Sequence, residues 1–434
     1  MQVAGLSAKI SSNEDDVSKW TAVSKLSFEY ATGENTTLFD HAGMNSKERD
    51  VYQYEIVLSL LTFQCFSVGG LMGQVYWDGV RCGELANEKK ENGPVKSPDA
   101  PCSSQSMMHA FLRGENVLET LHLNLPTYDD ARLIYGGNIG HPIWEQVPSS
   151  LSDSERIKNA TLSYVGRLVP MARVVLLHES MKTILLGNGF KYPVFTDGFP
   201  QEPSATLIVR TIRKKETRTL LSFQSSKSIW RELGAIIIKR NADGVGGPLA
   251  LRNIPDSESC DLIVSALKRD KATIVDTIES QFHIPSRLRK PDGTEAYEEE
   301  VRIAEQSAYR LCSAIEEYRT EIDGCWEQQL TRAGASKGVI KAKLYTKGML
   351  HFWTTVEKYL PLLMTHIDAI DTENALPTRE KWRKMLFATA CESYRITCGQ
   401  ETPRQIRAFA KGWMRLNNKK EKVSAIPTIE EEGV

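Results

Sequence analysis

Histidine, cysteine and carboxylate side chains do much of enzyme chemistry, and in this chain they are scattered. The eight histidines, His41, His109, His122, His141, His178, His283, His351 and His366, offer no close pair suited to a helical metal site. The eight cysteines, Cys65, Cys82, Cys102, Cys260, Cys312, Cys325, Cys391 and Cys398, include no CxxC pair, so neither a zinc ribbon nor a thioredoxin-like centre is suggested. His178-Glu179 has no second histidine at zincin spacing, and Gly187-Asn188-Gly189 lacks the third glycine of a dinucleotide fingerprint. Neither a GxxxxGK[ST] phosphate loop nor a GxSxG elbow occurs. The acidic runs Glu14-Asp15-Asp16 and Glu298-Glu299-Glu300 read as solvated faces. The chain is therefore expected to be no enzyme and to need no cofactor. A metal-dependent nuclease or other hydrolase with dispersed catalytic residues is the alternative.

Positive charge is better organised than the catalytic residue types. Lysine and arginine number 54 against 55 acids, so any nucleic-acid surface must come from local clustering. One cluster is Arg210, Arg213, Lys214, Lys215 and Arg218, set against a single acid, Glu216, and centred on an expected hairpin tip. A second is Arg404, Arg407, Lys411 and Arg415, which step by three and four along one helix face. Such a stripe suits phosphate contacts, which add affinity but little sequence information; the competing reading is a solvated face.

The elements that must carry these residues change character along the 434-residue chain. Residues 1–297 mix short β-like runs, glycine turns and a few helices, which predicts an α+β domain. Two hairpins are expected. Strands 174–177 and 183–186 flank a turn at 178–182, and strands 206–213 and 217–223 flank a turn at 214–216. Glycine clusters such as Gly69-Gly70-Leu71-Met72-Gly73 mark turns or close backbone approaches.

From about Glu298 helical spacing takes over, with apolar stripes at 301–322, 345–363, 382–396 and 406–416. Thr402, Pro403 and Gln405 form a capping-box start for the last helix. Residues 298–417 are thus expected to form a C-terminal four-helix bundle, followed by a flexible polar tail at 418–434. The longest apolar runs are too short to span a bilayer, and the N-terminus shows no signal-peptide pattern. With scattered, reduced cysteines, this predicts a cytoplasmic protein with no membrane contact.

Several segments, in order, resemble the CasA (Cse1) family, the large subunit of the type I-E CRISPR surveillance complex Cascade. They are Ala31-Thr32-Gly33-Glu34-Asn35-Thr36-Thr37-Leu38-Phe39-Asp40-His41, Phe66-Ser67-Val68-Gly69-Gly70 and Phe111-Leu112-Arg113-Gly114-Glu115-Asn116 with Glu119-Thr120-Leu121-His122-Leu123-Asn124-Leu125. Tyr164-Val165-Gly166-Arg167-Leu168-Val169-Pro170-Met171-Ala172-Arg173, Leu186-Gly187-Asn188-Gly189-Phe190, Trp230-Arg231-Glu232-Leu233, Gly247-Pro248-Leu249 and Glu401-Thr402-Pro403-Arg404-Gln405-Ile406-Arg407-Ala408 follow. Members usually carry a long segment before the part that Met1 to Leu6 resembles, so this chain is expected to start inside the family's N-terminal domain.

The resemblance implies partners: a double-stranded DNA target, a CRISPR RNA ribonucleoprotein with its other Cascade subunits, and a helicase–nuclease effector. It implies that the guide RNA reads the target while the protein reads a short flanking motif, the PAM, from the minor-groove side. Three elements are associated with that reading. Gly69, Gly70 and Gly73 fit a glycine loop that approaches DNA. Lys214 fits a lysine finger, with Arg213 and Lys215 as register alternatives. Asp270-Lys271-Ala272 fits the strand-splitting wedge. There Lys271 replaces the usual glutamine and cannot offer an amide's paired donor and acceptor. Asn35 and Phe39 lie in the loop that resembles the family's contact with the guide 5′ handle. Arg404, Arg407, Lys411 and Arg415 would bind DNA backbone. Some relatives bind zinc through cysteine pairs that this chain lacks, so no metal is expected.

Overall fold

The structure, a computed structural model, describes residues 10–11, 20–28, 50–72, 75–82, 95–194, 202–212, 215–241, 243–270, 273–323 and 337–418. They divide into two units. The first comprises Met1–Lys227, Ala235–Ile254 and Asp261–Phe282, and the second Ser228–Gly234, Pro255–Cys260 and His283–Val434.

In chain order the elements of the first part are β1 (Ile10–Ser11), β2 (Thr21–Ala22), α1 (Gln53–Phe66), β3 (Gly70–Met72), β4 (Tyr76–Trp77), β5 (Val80–Arg81) and β6 (Val95–Ser97). There follow β7 (Met108–Arg113), α2 (Val117–Asn124), α3 (Tyr128–Tyr135), α4 (Ser154–Leu162), α5 (Tyr164–Leu168), β8 (Arg173–Leu177) and β9 (Thr183–Asn188). Then come β10 (Leu207–Ile212), β11 (Lys215–Leu220), the short helix α6 (Leu233–Ile236), β12 (Cys260–Asp270) and β13 (Thr273–Ile284). The strands form three-stranded sheets ordered β1-β4-β5, β2-β9-β8 and β13-β12-β7, and the pairs β3-β6 and β10-β11.

Period-two alternation explains the packing. In β8 and β9, Val174 and Leu185 enter one core cluster with Trp77, Phe190 and Tyr192. Ile184 and Leu186 point to the other side, against Leu26, Ile56 and Phe63. Along β12, Leu262, Val264 and Ala266 are buried and face Leu112, Ala110 and Met108 of β7. The β7 ladder ends at the Ala266–Met108 pair, so the last four residues of β12 run on beyond it.

Both expected hairpins form, with one shift in register. β8 and β9 pair antiparallel from Arg173–Asn188 to Leu177–Ile184. In the other, Leu207 pairs with Leu220 and Ile212 with Lys215, so Lys215 opens a strand instead of lying in the turn. The buried Leu207–Leu220 pair fixes the register, and counting from it leaves a two-residue connection, the length that suits strand twist.

In the second unit, α7 (Pro291–Asp323) starts before the helical stripe becomes visible in the sequence. It is followed by α8 (Lys337–Lys358), α9 (Leu360–Asp368), α10 (Ala375–Thr397) and α11 (Pro403–Asn417). The expected 345–363 stripe is thus two helices. Tyr359 leaves helical geometry and Pro361, which has no N–H to donate, falls in the first turn of α9. α7 packs against α8, α10 and α11. Gly412 marks the closest crossing, because a Cβ there would lie 2.0 Å from the Tyr394 hydroxyl and 2.6 Å from the Ala314 carbonyl. The capping box at Thr402 and Gln405 is present in both directions.

The acidic run 298–300 is not a fully solvated face. Glu300 shares a helix side with Tyr297 and Ala304 and is buried, receiving Arg379 at 2.6 Å and Arg383 at 2.7 Å. Burying a carboxylate is costly unless paired, and two guanidinium groups meet that need.

Candidate nucleic-acid interface

The glycine loop is built from below. α1 ends at Phe66, and its cap residue Ser67 donates its N–H to the Phe63 carbonyl. The Arg173 side chain is fully buried beneath the loop. Its guanidinium donates to the carbonyls of Val68 at 2.9 Å, Pro98 at 3.0 Å and Ala172 at 2.7 Å. Burial lowers its pKa to about 10, partly opposed by the Asp99 charge, so it remains a cation at neutral pH. The Gln64 side chain brackets the Arg173 backbone, accepting its N–H and donating to its carbonyl. Gly70 pairs with Ser97 in the β3–β6 ladder.

Position 69 needs glycine for an internal reason. A Cβ there would fall 2.6 Å from the Ser97 carbonyl oxygen and 3.0 Å from Asp99 Oδ1. The close approach that demands Gly69 is to its own chain, at Ser97 and Asp99.

Asp99 joins this loop to the β12–β13 hairpin. Its Oδ1 accepts the Gly69 N–H at 2.9 Å, and its Oδ2 meets Arg269 NH1 at 2.5 Å. Arg269 immediately precedes Asp270, which is exposed at the end of β12. The Arg269 N–H donates to Ser106 Oγ at 3.3 Å, and the Ser106 carbonyl accepts the Phe223 N–H at 2.8 Å, three residues beyond β11. Gln105 and Ser106 both adopt left-handed backbone, with φ of 56° and 52°. Such geometry costs non-glycine residues about 1–2 kcal/mol each, so the surrounding bonds must hold it. The segment 97–106 therefore touches the glycine loop, the base of the β10–β11 hairpin and the far end of β12.

Next to it, His109 Nε2 lies 2.8 Å from the Cys102 carbonyl and Nδ1 lies 2.8 Å from Ser204 Oγ. A carbonyl can only accept, so Nε2 carries the proton and Nδ1 accepts from the hydroxyl. Burial lowers the histidine's pKa, keeping it neutral. This Ser–His pair stitches the Ser204 turn to β7.

On the finger hairpin Arg210 is exposed, whereas Arg218 bonds the Asp243 carboxylate at 3.2 Å. On α11, Arg407 lies 3.1 Å and Lys411 2.5 Å from the Glu321 carboxylate. Arg404 donates to the Ile322 carbonyl at 2.7 Å, capping the C-terminal end of α7. Arg415 is exposed. Arg404, Arg407 and Lys411 thus have bonds within the helical unit, which weights the stripe toward helix docking.

Asn35, Phe39, Gly73, Arg213, Lys214, Lys271 and Ala272 lie outside the described residues, as does the tail from 419. Among the described residues, no group of three His, Cys, Asp or Glu side chains could hold a metal ion. No described helix is long and apolar enough to cross a membrane. Sequence reasoning missed Asp99, Arg269, Ser106 and Arg173. Arg173 could have been suspected as a charge embedded in an apolar strand; the others carry no periodic signal.

An α+β unit in which Asp99 ties the glycine loop to the β12–β13 hairpin, and a second unit of long helices, define the class to which the comparisons then give a family. The chain belongs to the CRISPR-associated protein Cse1 family, whose model matches residues 1–393. CasA/Cse1 of Thermus thermophilus is 24% identical over 393 residues, spanning 86% of this chain and 69% of that protein. The crystal structure of Thermobifida fusca Cse1 superposes with a TM-score of 0.66 at 14% identity, covering 96% of this chain and 78% of that one. A chain of a CRISPR RNA-guided surveillance complex superposes with a TM-score of 0.60 at 17% identity, covering 92% and 74%.

Proposed function

We propose that this chain is the large, non-catalytic subunit of a type I-E CRISPR RNA-guided surveillance complex. In this reading it contacts the PAM in double-stranded DNA, helps open the duplex for guide pairing and recruits a helicase–nuclease that degrades the target. It works in the cytoplasm without a cofactor of its own. The α+β part carries the DNA-reading loops. α7, α8, α10 and α11 act as a four-helix bundle, with α9 as a broken continuation of α8.

Family membership and the likeness to a surveillance-complex chain support the partners. The observation that carries DNA reading is the meeting of Gly69 and Arg269 on Asp99. It brings the glycine loop next to the hairpin on which the wedge residues fall, as a joint PAM contact and strand-opening device requires. Gly70, Gly73 and the finger at Lys214 complete the reader, and Lys271 with Ala272 displaces the first pair by bulk.

The test is reconstitution. The chain should co-purify with a CRISPR RNA and the small backbone subunits, and omitting it alone should abolish PAM-dependent target binding. Normal PAM-dependent binding without this chain would overturn the reading. Metal-dependent DNA cleavage by the isolated, highly purified chain would favour the hydrolase alternative.

A further inference from the structure

Resting on that reading, we propose that Asp99 is a positioning residue that couples PAM contact to strand opening by fixing the glycine loop and the wedge hairpin to each other. One carboxylate serves both elements: Oδ1 takes the Gly69 N–H, and Oδ2 takes the Arg269 guanidinium. Both side chains of the ion pair are 24% exposed, so the pair is mostly shielded from water yet close to the surface.

The geometry on each side makes the joint stiff. On the loop side, Arg173 grips Val68 and Pro98 together, and the Ala100 N–H bonds the Ser67 carbonyl at 2.8 Å. Gly69 lies so near the Ser97 carbonyl that a Cβ there would fall 2.6 Å from it. The loop and Asp99 therefore move as one body. On the hairpin side the situation is opposite. β12 runs past the end of its β7 ladder at Ala266, so its tip has no neighbouring strand of β7 to hold it. Arg269 supplies the lateral ties, through its side chain to Asp99 and through its N–H to Ser106. With the Asp99 tie cut, this end of β12 would keep the Ser106 bond and the Lys268 Nζ–Ser225 Oγ bond at 2.8 Å but lose its charged tie to the loop, and it would be freer to shift. Arg269 would no longer be held at a fixed distance from the PAM-contacting loop.

An ion pair that serves stability alone would contribute little, and its loss would leave every DNA substrate equally affected. A positioning role predicts a split between substrates. Asp99→Asn is nearly isosteric and keeps an oxygen for the Gly69 amide while removing the charge opposite Arg269. Arg269→Gln removes the other partner, and Arg269→Lys restores the charge without the guanidinium fork.

The experiment uses the assembled complex with its guide RNA, and 2-aminopurine beside the PAM reports strand opening. Each variant is measured on a fully paired target and on one already unpaired next to the PAM. Asp99→Asn and Arg269→Gln should each slow opening of the paired target about tenfold, the scale of one charge-assisted hydrogen bond. Both should stay within about twofold of the parent on the pre-opened target. The double variant should be no slower than either single one, because both remove the same contact. Arg269→Lys should recover part of the rate. Equal slowing on both targets, additive singles, or an unaltered opening rate would overturn the proposal while Gly70→Asp and Lys271→Ala remain defective. If those two variants also behave as the parent does, the PAM reading itself falls, and this coupling with it. Thermal unfolding and co-purification of each variant separate misfolding from loss of coupling.

Discussion

Lys411 on α11 and Glu321 near the end of α7 form a 2.5 Å ion pair, and Arg407 shares the same carboxylate. The hydrogen bond from Lys411, with the nearby charges of Lys411, Arg407 and Arg404, holds the Glu321 carboxyl below its usual range. A cation already matched to a carboxylate releases little counterion when it meets a phosphate. Replacing Arg404, Arg407, Lys411 and Arg415 with alanine should weaken DNA binding equally for all PAMs. The salt slope should fall by about 2 or less, whereas four free cations would give about 3.6. Glu321→Gln should steepen the slope. Titrating binding against salt concentration checks both, and an unchanged slope in both variants makes the stripe a helix-docking face only.

The three DNA-reading elements should fail in different ways. Gly70→Asp introduces bulk and negative charge and should abolish PAM-dependent binding. Lys214→Ala should weaken PAM discrimination, since a minor-groove cation reads only a partial base code. Lys271→Ala should spare initial contact and slow opening. Binding to matched and pre-opened duplexes separates these outcomes: pre-opening should rescue Lys271→Ala more than Lys214→Ala.

Arg173→Ala would strip the hydrogen bonds from three carbonyls in and around the glycine loop. Stability should fall by about 3 kcal/mol or more, because buried acceptors lose charged donors. Arg173→Lys should recover only part of it, because one ammonium cannot match the planar fork. Thermal denaturation gives the stability change, and limited proteolysis between α1 and β4 shows whether the loop loosens first.

His109 adds a pH dependence. An ordinary histidine protonates near 6.5, and burial holds this one lower despite the opposing pull of the Cys102 carbonyl and Glu202. The unfolded chain therefore takes up the proton first. The stability from neutral His109 is complete above pH about 6.5 and is lost as pH falls toward the depressed value, at up to about 1.4 kcal/mol per pH unit. His366 adds the same sign in the helical unit. Unfolding followed from pH about 7.5 to about 5.5 should show a shallower decline in His109→Gln than in the parent.

Local rules carried much of the fold. The β8–β9 hairpin announced itself by alternation, and Thr402 with Gln405 announced the start of α11, because each signal lies within a few residues. The break before Pro361 was also local, but the apolar stepping through Tyr359 and Leu363 masked it. The finger's register depended on which leucines met across the hairpin, a fact that only pairing settles. The resemblance motifs turn out to be largely scaffold. Asn116 caps α2, Arg167 is buried against Glu202, and Trp230 is buried with its carbonyl bonded by Tyr297. That explains why part of the resemblance lies in segments that touch no DNA in the proposed reading, although Asn35, Phe39, Gly69, Gly70 and Arg404 fall in segments assigned to contacts. Asp99 was not legible. An acid in a proline-flanked turn looks like a solubilising residue until the fold brings Arg269 to it.

The bond between Ser106 and Arg269 spans 163 residues of chain. At a ribosomal pace of about 5–20 residues per second, Ser106 emerges on the order of ten seconds before its partner exists. Its left-handed geometry, and that of Gln105, has no such support until β12 has been made. The surface around the glycine loop is therefore assembled late. A nascent chain cut short before β12 would carry the glycine loop without the brace that orients it, and truncated products should lack a working reader even where their cores have formed.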